Sequence, residues 1–311
     1  MRDFAILSPE QEYAEGVFLF MKIAASTYSF SQYLSDGRMT QLDCIAKAKE
    51  LGFDAVEFVD VCPPEGTDQL AYAHRLREEC DRLNMPVSNF TVGAELLHPA
   101  AGQREEIERV KGMVDLAVIL GARSLRHDAT AGYEPGSRSC HGFDDALTVI
   151  APACREITEY AAEKGVRTMV ENHGFFCQDS ERVERLVNTV AHENFGLLTD
   201  MGNFLCADEN PAAAFGRVAP YAFYVHAKDF YVKSGNGFDP GEGFFRSRSG
   251  NYLRGAIVGQ GDVPLRHCLS ALKAVGYTGA VAIEFEGMED CLTGLRIGLA
   301  NLRRALADVG L

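Results

Sequence analysis

The stretch VRTMVE, residues 166–171, shows in six residues the pattern that decides the fold. A short apolar run ends in Glu171 and is followed at once by Asn172, His173 and Gly174, a loop-like segment. Three later runs have the same form and end in Asp200, His226 and Glu284: FGLLTD (195–200), YAFYVH (221–226) and AVAIE (280–284). Short apolar runs bounded by turn residues are typical of buried strands.

Strand-like and helix-like segments alternate along the rest of the chain. The eight predicted strands lie at about 22–26, 54–59, 86–91, 123–127, 166–171, 195–200, 221–226 and 280–285. Amphipathic helical patterns lie at 40–51, 68–83, 104–120, 144–164, 180–190, 264–275 and 290–307. Eight parallel β/α units close into a barrel, so we predict the α/β class and a (β/α)8 TIM barrel. An open doubly wound sheet is the alternative, but no GxGxxG follows the first strand.

The barrel accounts for residues 21–311 as a single domain, because Met21 begins MKIAAS, which reads as the start of a first strand. Residues 1–20 precede it and lack a basic segment followed by a long apolar one, so they do not resemble a signal peptide. We expect residues 1–20 to be a peripheral extension of the barrel domain.

Composition narrows the classes of function. The chain has 311 residues, a 47% hydrophobic fraction and a formal net charge of −14. An acidic chain argues against a nucleic-acid partner, since phosphate neutralisation needs a basic face. Its 9 cysteines form no CxxC pair, and without a secretory signal they suggest free thiols in the reducing cytoplasm. No apolar run approaches the roughly 20 residues of a membrane span.

The residue types at the four strand ends indicate a metal site. A parallel barrel brings the ends of all its strands to one face, so Glu171, Asp200, His226 and Glu284 should converge. Two glutamates, an aspartate and a histidine form a mixed oxygen and nitrogen ligand set that suits Mn²⁺, Co²⁺, Mg²⁺ or Zn²⁺. Glu286 shares a strand face with Glu284 and is the reserve ligand.

One connection is unusually long and rich in glycine. Residues 233–264 follow the strand that presents His226, and loops of this length inside compact domains are usually functional or disordered. We expect a lid or pocket wall that carries Arg246, Arg248 and Arg254, with a solvated insertion or an oligomer contact as the alternative.

From Met21 to the C-terminus, the chain resembles the xylose isomerase-like TIM-barrel superfamily of sugar isomerases and epimerases. The motifs that carry the resemblance are VENHG (170–174), TDMGN (199–203), VHAKD (225–229) and GYTGAVAIEFEG (276–287). The resemblance implies one divalent metal, Mn²⁺ first, held by the four strand-end residues. It also implies that Glu171 and Glu284 act as the acid and base on a sugar or keto-sugar substrate, through an enediolate.

Six further residues are candidates for substrate contacts: Asn203, Lys228, His173, His127, Glu57 and Arg254. Some epimerases of the group have histidine where Asn203 stands, so the particular sugar stays open. Arg126 and His127 end the fourth predicted strand, and alternation allows only one of them to point inward. Glu57 ends the second strand and either binds substrate or orients a neighbour.

Three rival functions come from the same scaffold. A DNA-repair endonuclease would need three metals and more histidines, and its DxxH pattern is absent because Asn203 follows Asp200. A lyase, either an inosose-type dehydratase or a C-glycoside-cleaving barrel with a small partner subunit, would share the first proton abstraction. A sugar-binding protein without catalysis is disfavoured because both glutamates are retained. The superfamily often forms homo-oligomers.

Overall fold

A computed structural model describes residues 21–133 and 142–311 of the chain. Its strands are β1 Ile23–Ser26, β2 Ala55–Val59, β3 Val87–Val92, β4 Ser124–His127, β5 Arg167–Glu171, β6 Phe195–Asp200, β7 Ala222–Ala227, β8 Asp229–Lys233, β9 Phe245–Arg246, β10 Tyr252–Ala256 and β11 Val281–Ile283. Strands β1 to β7 and β11 form a closed barrel in which every neighbouring pair is parallel. The predicted (β/α)8 TIM barrel is confirmed.

The helices are α1 Ser31–Ser35, α2 Gln41–Leu51, α3 Gln69–Leu83, α4 Gln103–Leu120, α5 Phe143–Glu163, α6 Ser180–Val190, α7 Asn203–Cys206, α8 Pro211–Val218, α9 Leu265–Ala274 and α10 Cys291–Val309. Their ends follow local sequence signals. Thr40 and Asp43 form a capping box at the start of α2, and Gly52 ends that helix in a left-handed conformation at φ 92°. The short helices α1, α7 and α8 were not among the predicted helices.

Two apolar layers support the top of the barrel. A large core lies between the strands and the helices, and a smaller cluster fills the barrel interior with Ala24, Ala55, Met169, Leu198, Tyr224 and Ala282. Two residues beyond each member of this cluster, the inward positions are polar: Ser26, Glu57, Glu171, Asp200, His226 and Glu284. Thr91 of β3 and Arg126 of β4 complete a ring of eight polar residues. Side chains alternate along a strand, so this ring of eight lies directly above the apolar interior cluster.

The connection expected to be a long loop contains two short strands of a small sheet. Strand β10 pairs antiparallel with both β8 and β9, in the order β8-β10-β9. Phe230 of β8 and Leu253 of β10 pack with Cys206 of α7 beneath it. The prediction missed these strands because glycine-rich sequence weakens the strand pattern, while the pairing depends on contacts between distant residues.

Within residues 21–133 and 142–311, no helix is both long enough and apolar enough to cross a membrane. The expectation for residues 1–20 concerns a segment outside the described residues.

Candidate metal centre

Four buried side chains meet at the C-terminal end of the barrel. Glu171, Asp200, His226 and Glu284 come from β5, from β6, from β7 and from the end of β11, which are consecutive around the barrel wall. Each offers one ligand atom, and these atoms all lie within 4.8 Å of one another. Oxygen and nitrogen ligands of one Zn²⁺ would lie about 2.0–2.2 Å from the ion, so two ligand atoms could be at most about 4.4 Å apart, which is close to this limit of 4.8 Å.

Two unpaired buried atoms show that the ligand set fits a cation. His226 Nδ1 has no hydrogen-bond partner, and it lies 3.8 Å from Glu171 Oε1, 3.7 Å from Asp200 Oδ2 and 3.5 Å from Glu284 Oε2. Asp200 Oδ2 is likewise buried and has no hydrogen-bond partner among the described residues. Burying polar atoms without partners costs free energy, and a cation between these atoms would satisfy them together.

Glu171 is held by a cation on one oxygen and by an amide on the other. Arg126 Nη2 lies 2.8 Å from Glu171 Oε2 and also 2.8 Å from Asp128 Oδ1. Asn203 Nδ2 donates to Glu171 Oε1 at 2.8 Å. Because both donors are themselves buried, the carboxylate has a fixed orientation toward the other three residues.

Glu284 is held by a different cation, the ammonium group of Lys228. Lys228 Nζ lies 2.6 Å from Glu284 Oε2, 3.3 Å from Glu286 Oε2 and 3.9 Å from Asp200 Oδ2. Burial alone would raise the pKa of Glu284, but the charges of Lys228 and His226 hold it well below its ordinary value. The carboxylate therefore stays ionised and available as a ligand or a base.

Asp200 is positioned by the backbone and by Asn172. Its backbone N–H donates to Asn172 Oδ1 at 2.8 Å, and its Oδ1 accepts from the backbone N–H of Asn203 at 2.7 Å. Burial raises the pKa of Asp200 to about 7, against the opposing charge of Lys228. A buried carboxylate surrounded by Glu171 and Glu284 is thus unfavourable without a compensating positive charge.

Two of the six residues predicted as substrate contacts reach the glutamates among the four side chains. These are Asn203, through Glu171, and Lys228, through Glu284; Lys228 Nζ and Asn203 Oδ1 are 3.3 Å apart. His173 lies one step further out, where its Nδ1 is 3.0 Å from Asp128 Oδ1 and its side chain is 48% exposed.

Two more of the six predicted contacts, His127 and Glu57, are fully buried. At the end of β4, Arg126 reaches Glu171, so alternation turns His127 to the opposite face, against Phe195 and the Asp128 carbonyl. His127 is therefore not brought to the four side chains. Glu57 is fully buried and lies 2.7 Å from His226 Nε2, a contact that corresponds to the alternative in which it orients a neighbour.

The three arginines of residues 233–264 make contacts of their own. Arg254 pairs with Glu289 at 3.4 Å and lies over the Tyr231 ring. Arg248 pairs with Asp179 at 2.8 Å, and Arg246 donates to Tyr252 Oη within the small sheet. A contact between Arg254 and substrate stays a prediction.

Sequence reasoning missed three residues of this region. Asn172 and Asp128 directly follow strand ends, where polar residues commonly face the site, and this signal could have found them. Tyr28 lies in the turn after β1, and burial together with the charge of Glu286 raises the pKa of this phenol. The side chain is 41% exposed and gives the mouth of the site an aromatic surface.

The arrangement combines a candidate cation site with two carboxylates of fixed orientation. Glu171 and Glu284 come from strands separated by β6 and β7 in the barrel order, so they approach the centre from different sides. Carboxylates placed in this way can remove a proton from a bound molecule and return it, if a cation makes the C–H group more acidic.

Comparison with known proteins relates the chain to one family. A model of the family described as xylose isomerase-like TIM barrel matches residues 45–305. The uncharacterized protein YihM of Escherichia coli is 29% identical over 163 residues, which are 52% of this chain and 43% of that protein. The rhizopine catabolism protein MocC of Rhizobium meliloti is 29% identical over 225 residues, 66% of either chain. The chain therefore matches less than two thirds of the length of each relative.

Solved structures share the fold at low sequence identity. The IOLI protein with a bound zinc atom has a TM-score of 0.69 at 19% identity, covering 93% of this chain and 98% of that one. The probable 3-DHS dehydratase AsbF from Bacillus anthracis has a TM-score of 0.68 at 16% identity, with 91% and 99% covered. An L-ribulose 3-epimerase has a TM-score of 0.67 at 17% identity, with 93% and 96% covered.

Proposed function

Because the chain belongs to the xylose isomerase-like TIM barrel family, we propose that it is a divalent-metal-dependent sugar isomerase or epimerase. Its reaction is the removal and return of a proton next to the carbonyl of a sugar or keto sugar. Mn²⁺ is the first choice of metal, and the ligand set also accommodates Mg²⁺, Co²⁺ or Zn²⁺.

The observation that carries the proposal is the pairing of each glutamate with its own buried cation. Arg126 holds Glu171 and Lys228 holds Glu284, both at hydrogen-bond distance. A cation that pairs with a buried carboxylate keeps it ionised and fixes its rotamer. A site that only stored a metal ion would not need two separately oriented carboxylates on different sides of the centre.

In this proposal the ion is held by Glu171, Asp200, His226 and Glu284. When bound, it supplies the positive charge that acidifies the C–H group beside the substrate carbonyl. Glu171 removes the proton from one side, with its orientation fixed by Arg126 and Asn203. Glu284, after taking a proton from solvent, gives it to the carbon from the other side, and Glu171 then passes its own proton to solvent. Delivery to the same carbon inverts it, and delivery to the adjacent carbon exchanges aldose and ketose.

Substrate hydroxyls would be bound by the polar groups next to these carboxylates. Lys228 and Asn203 lie within hydrogen-bond distance of the two glutamates, and Tyr28 borders the mouth. The ammonium, amide and phenol groups of these residues can donate hydrogen bonds to the hydroxyl oxygens of a sugar. We therefore propose a small polyhydroxylated keto compound as the substrate.

Elimination is a second candidate reaction, favoured by the position of His173. Its imidazole is half exposed at the mouth and hydrogen-bonded to Asp128, which contacts the Arg126 that holds Glu171. A group in that place could protonate a leaving hydroxyl after the same first proton abstraction. This reaction would make the protein a lyase, either as a dehydratase or as a C-glycoside-cleaving barrel.

The deciding experiment begins with chelated protein in D₂O and a panel of ketoses and keto-cyclitols. After addition of Mn²⁺, Mg²⁺, Co²⁺ or Zn²⁺, we expect deuterium to enter the substrate at the carbon beside the carbonyl. NMR spectroscopy measures this exchange. The epimerase proposal requires exchange with retention of all hydroxyl groups, whereas loss of water or of an aglycone selects the lyase. Exchange that persists in the chelated protein, or that survives Glu171→Gln, would contradict the proposed chemistry.

A further inference from the structure

We propose that Glu57 is a positioning residue that fixes the tautomer and ring orientation of His226 for the metal ion. This inference rests on the proposed function, because it assigns a role toward the ion that His226 would bind. Glu57 comes from β2 and His226 from β7, which β1 and β11 separate in the barrel order. The contact therefore crosses the barrel interior.

The carboxylate of Glu57 is fully engaged and has no access to solvent. Its Oε2 lies 2.7 Å from His226 Nε2, and both side chains are 0% exposed. Its Oε1 accepts from Asn89 Nδ2 at 2.8 Å and from Thr91 Oγ1 at 2.7 Å. Asn89 is oriented in turn by Ser124 Oγ, which donates to Asn89 Oδ1 at 2.7 Å. The position of Glu57 is thus fixed from β3 and β4.

The contact determines which imidazole nitrogen faces the site. An ionised carboxylate can only accept hydrogen bonds, so His226 Nε2 must carry the hydrogen. Nδ1 is then the nitrogen directed at the carboxylates of Glu171, Asp200 and Glu284, and it has no hydrogen-bond partner. A hydrogen-bonded carboxylate behind an imidazole ligand both orients the ring and increases its basicity.

The substitution Glu57→Gln should disturb this arrangement with almost no change of volume. A glutamine side chain has one acceptor oxygen and one donor NH₂ group. The carboxylate of Glu57, in contrast, faces the donors of Asn89 and Thr91 with one oxygen and His226 Nε2 with the other. With its oxygen toward Asn89 and Thr91, its NH₂ group faces His226 Nε2 and favours the tautomer with hydrogen on Nδ1. That hydrogen would point at the position of the ion.

The first test measures the affinity of chelated protein for Mn²⁺ by titration calorimetry. We expect Glu57→Gln to weaken Mn²⁺ binding about 10- to 100-fold, the range found for groups that orient metal ligands. Glu209→Gln is the matched control, since Glu209 bonds to Ser180 at the start of α6 and should bind Mn²⁺ like the unaltered protein. Unchanged affinity in Glu57→Gln, with only a lower unfolding temperature in EDTA, would reduce Glu57 to a structural role and overturn the proposal.

The second test uses the unaltered protein and does not depend on how a variant folds. Protein labelled with ¹⁵N-histidine is loaded with Zn²⁺ and studied by long-range ¹H–¹⁵N NMR. We expect one imidazole with a zinc-bound Nδ1 and a protected hydrogen on Nε2; a zinc-bound Nε2 would overturn the assignment. If the unaltered protein bound no divalent ion, the proposed function itself would fail, which differs from a failure of Glu57 alone.

Discussion

At the scale of single residues, the site depends on how charges are paired above an apolar floor. Met169, Leu198, Tyr224 and Ala282 fill the barrel below, and two residues later each strand presents a ligand candidate. Arg126 and Lys228 place positive charge directly beside the buried carboxylates of Glu171 and Glu284. The chemistry of the site thus depends on the residues beside the four as much as on the four themselves.

Glu284 gives the first prediction, because it is both a candidate ligand and a candidate acid or base. We expect Glu284→Gln to abolish deuterium exchange and to weaken Mn²⁺ binding by at least about tenfold, since an amide is a poorer ligand and cannot take the proton. Kinetics and calorimetry on the same preparation measure both effects.

Glu286→Gln is the control for that prediction. Glu286 lies two residues further along the same face and also contacts Lys228, but its side chain is 23% exposed. Its substitution should leave Mn²⁺ affinity close to that of the unaltered protein. If both variants lost affinity equally, the effect would come from the Lys228 environment and Glu284 would not be a ligand.

At the scale of elements, two acidic residues hold the small sheet after β7 and the segments next to it in place. Asp229 is buried at the start of β8, and its carboxylate accepts from the backbone N–H groups of Phe230, Gly259, Gly261 and Val263. Asp208, which follows α7, accepts from Ser247, Ser249 and Asn251. These contacts favour a fixed pocket wall over a freely moving lid.

Asp229→Ala should destabilise the protein, because four backbone donors lose their acceptor and two of them belong to buried residues. We expect a loss of about 2–4 kcal/mol in the free energy of unfolding, measured with urea. Asp239→Ala is the comparison, since Asp239 is exposed and accepts a hydrogen bond from the backbone N–H of Gly241, and it should change stability by less than about 0.5 kcal/mol. Equal stabilities would show that solvent replaces the Asp229 contacts.

Asp208→Asn tests the second attachment without altering the backbone preference. Asp208 has a positive φ of 59°, which asparagine also tolerates, but the amide offers only one acceptor oxygen. We expect faster hydrogen exchange in residues 244–251 and unchanged exchange in the barrel strands, measured by mass spectrometry. Unchanged exchange throughout would mean that Arg248 and the strand pairing hold the sheet without Asp208.

At the scale of the whole molecule, barrel closure forces like charges together and makes stability depend on the ion. The three carboxylates of the candidate centre come from strands far apart in sequence, and only the closed barrel places them within 4.8 Å of each other and of His226. The unfolded chain has no such arrangement. An ion that binds the folded state alone therefore stabilises it.

Adding Mn²⁺ to chelated protein should accordingly raise the temperature of unfolding. At an ion concentration of about 100 times Kd, the expected gain is about 2.7 kcal/mol in the free energy of unfolding. Differential scanning calorimetry measures the shift, and Asp200→Asn, which removes one ligand candidate, should show a much smaller one. A shift of the same size in both proteins would place the bound ion elsewhere.

The sequence by itself determined the barrel and the four side chains of the candidate centre. Alternation of strands and helices requires β/α units, and Glu171, Asp200, His226 and Glu284 could be identified because parallel strands all end on one face. These inferences use local periodicity, which each segment carries within its own residues.

Only the tertiary structure decided which nearby side chains contact those four residues. Alternation allows one of Arg126 and His127 to point inward but does not select it, and Glu57 lies behind His226 because β2 and β7 face each other across the closed barrel. The antiparallel sheet of β8, β9 and β10 likewise depends on pairing between distant residues. Register and closure are properties of contacts between strands, so no single segment of the sequence contains them.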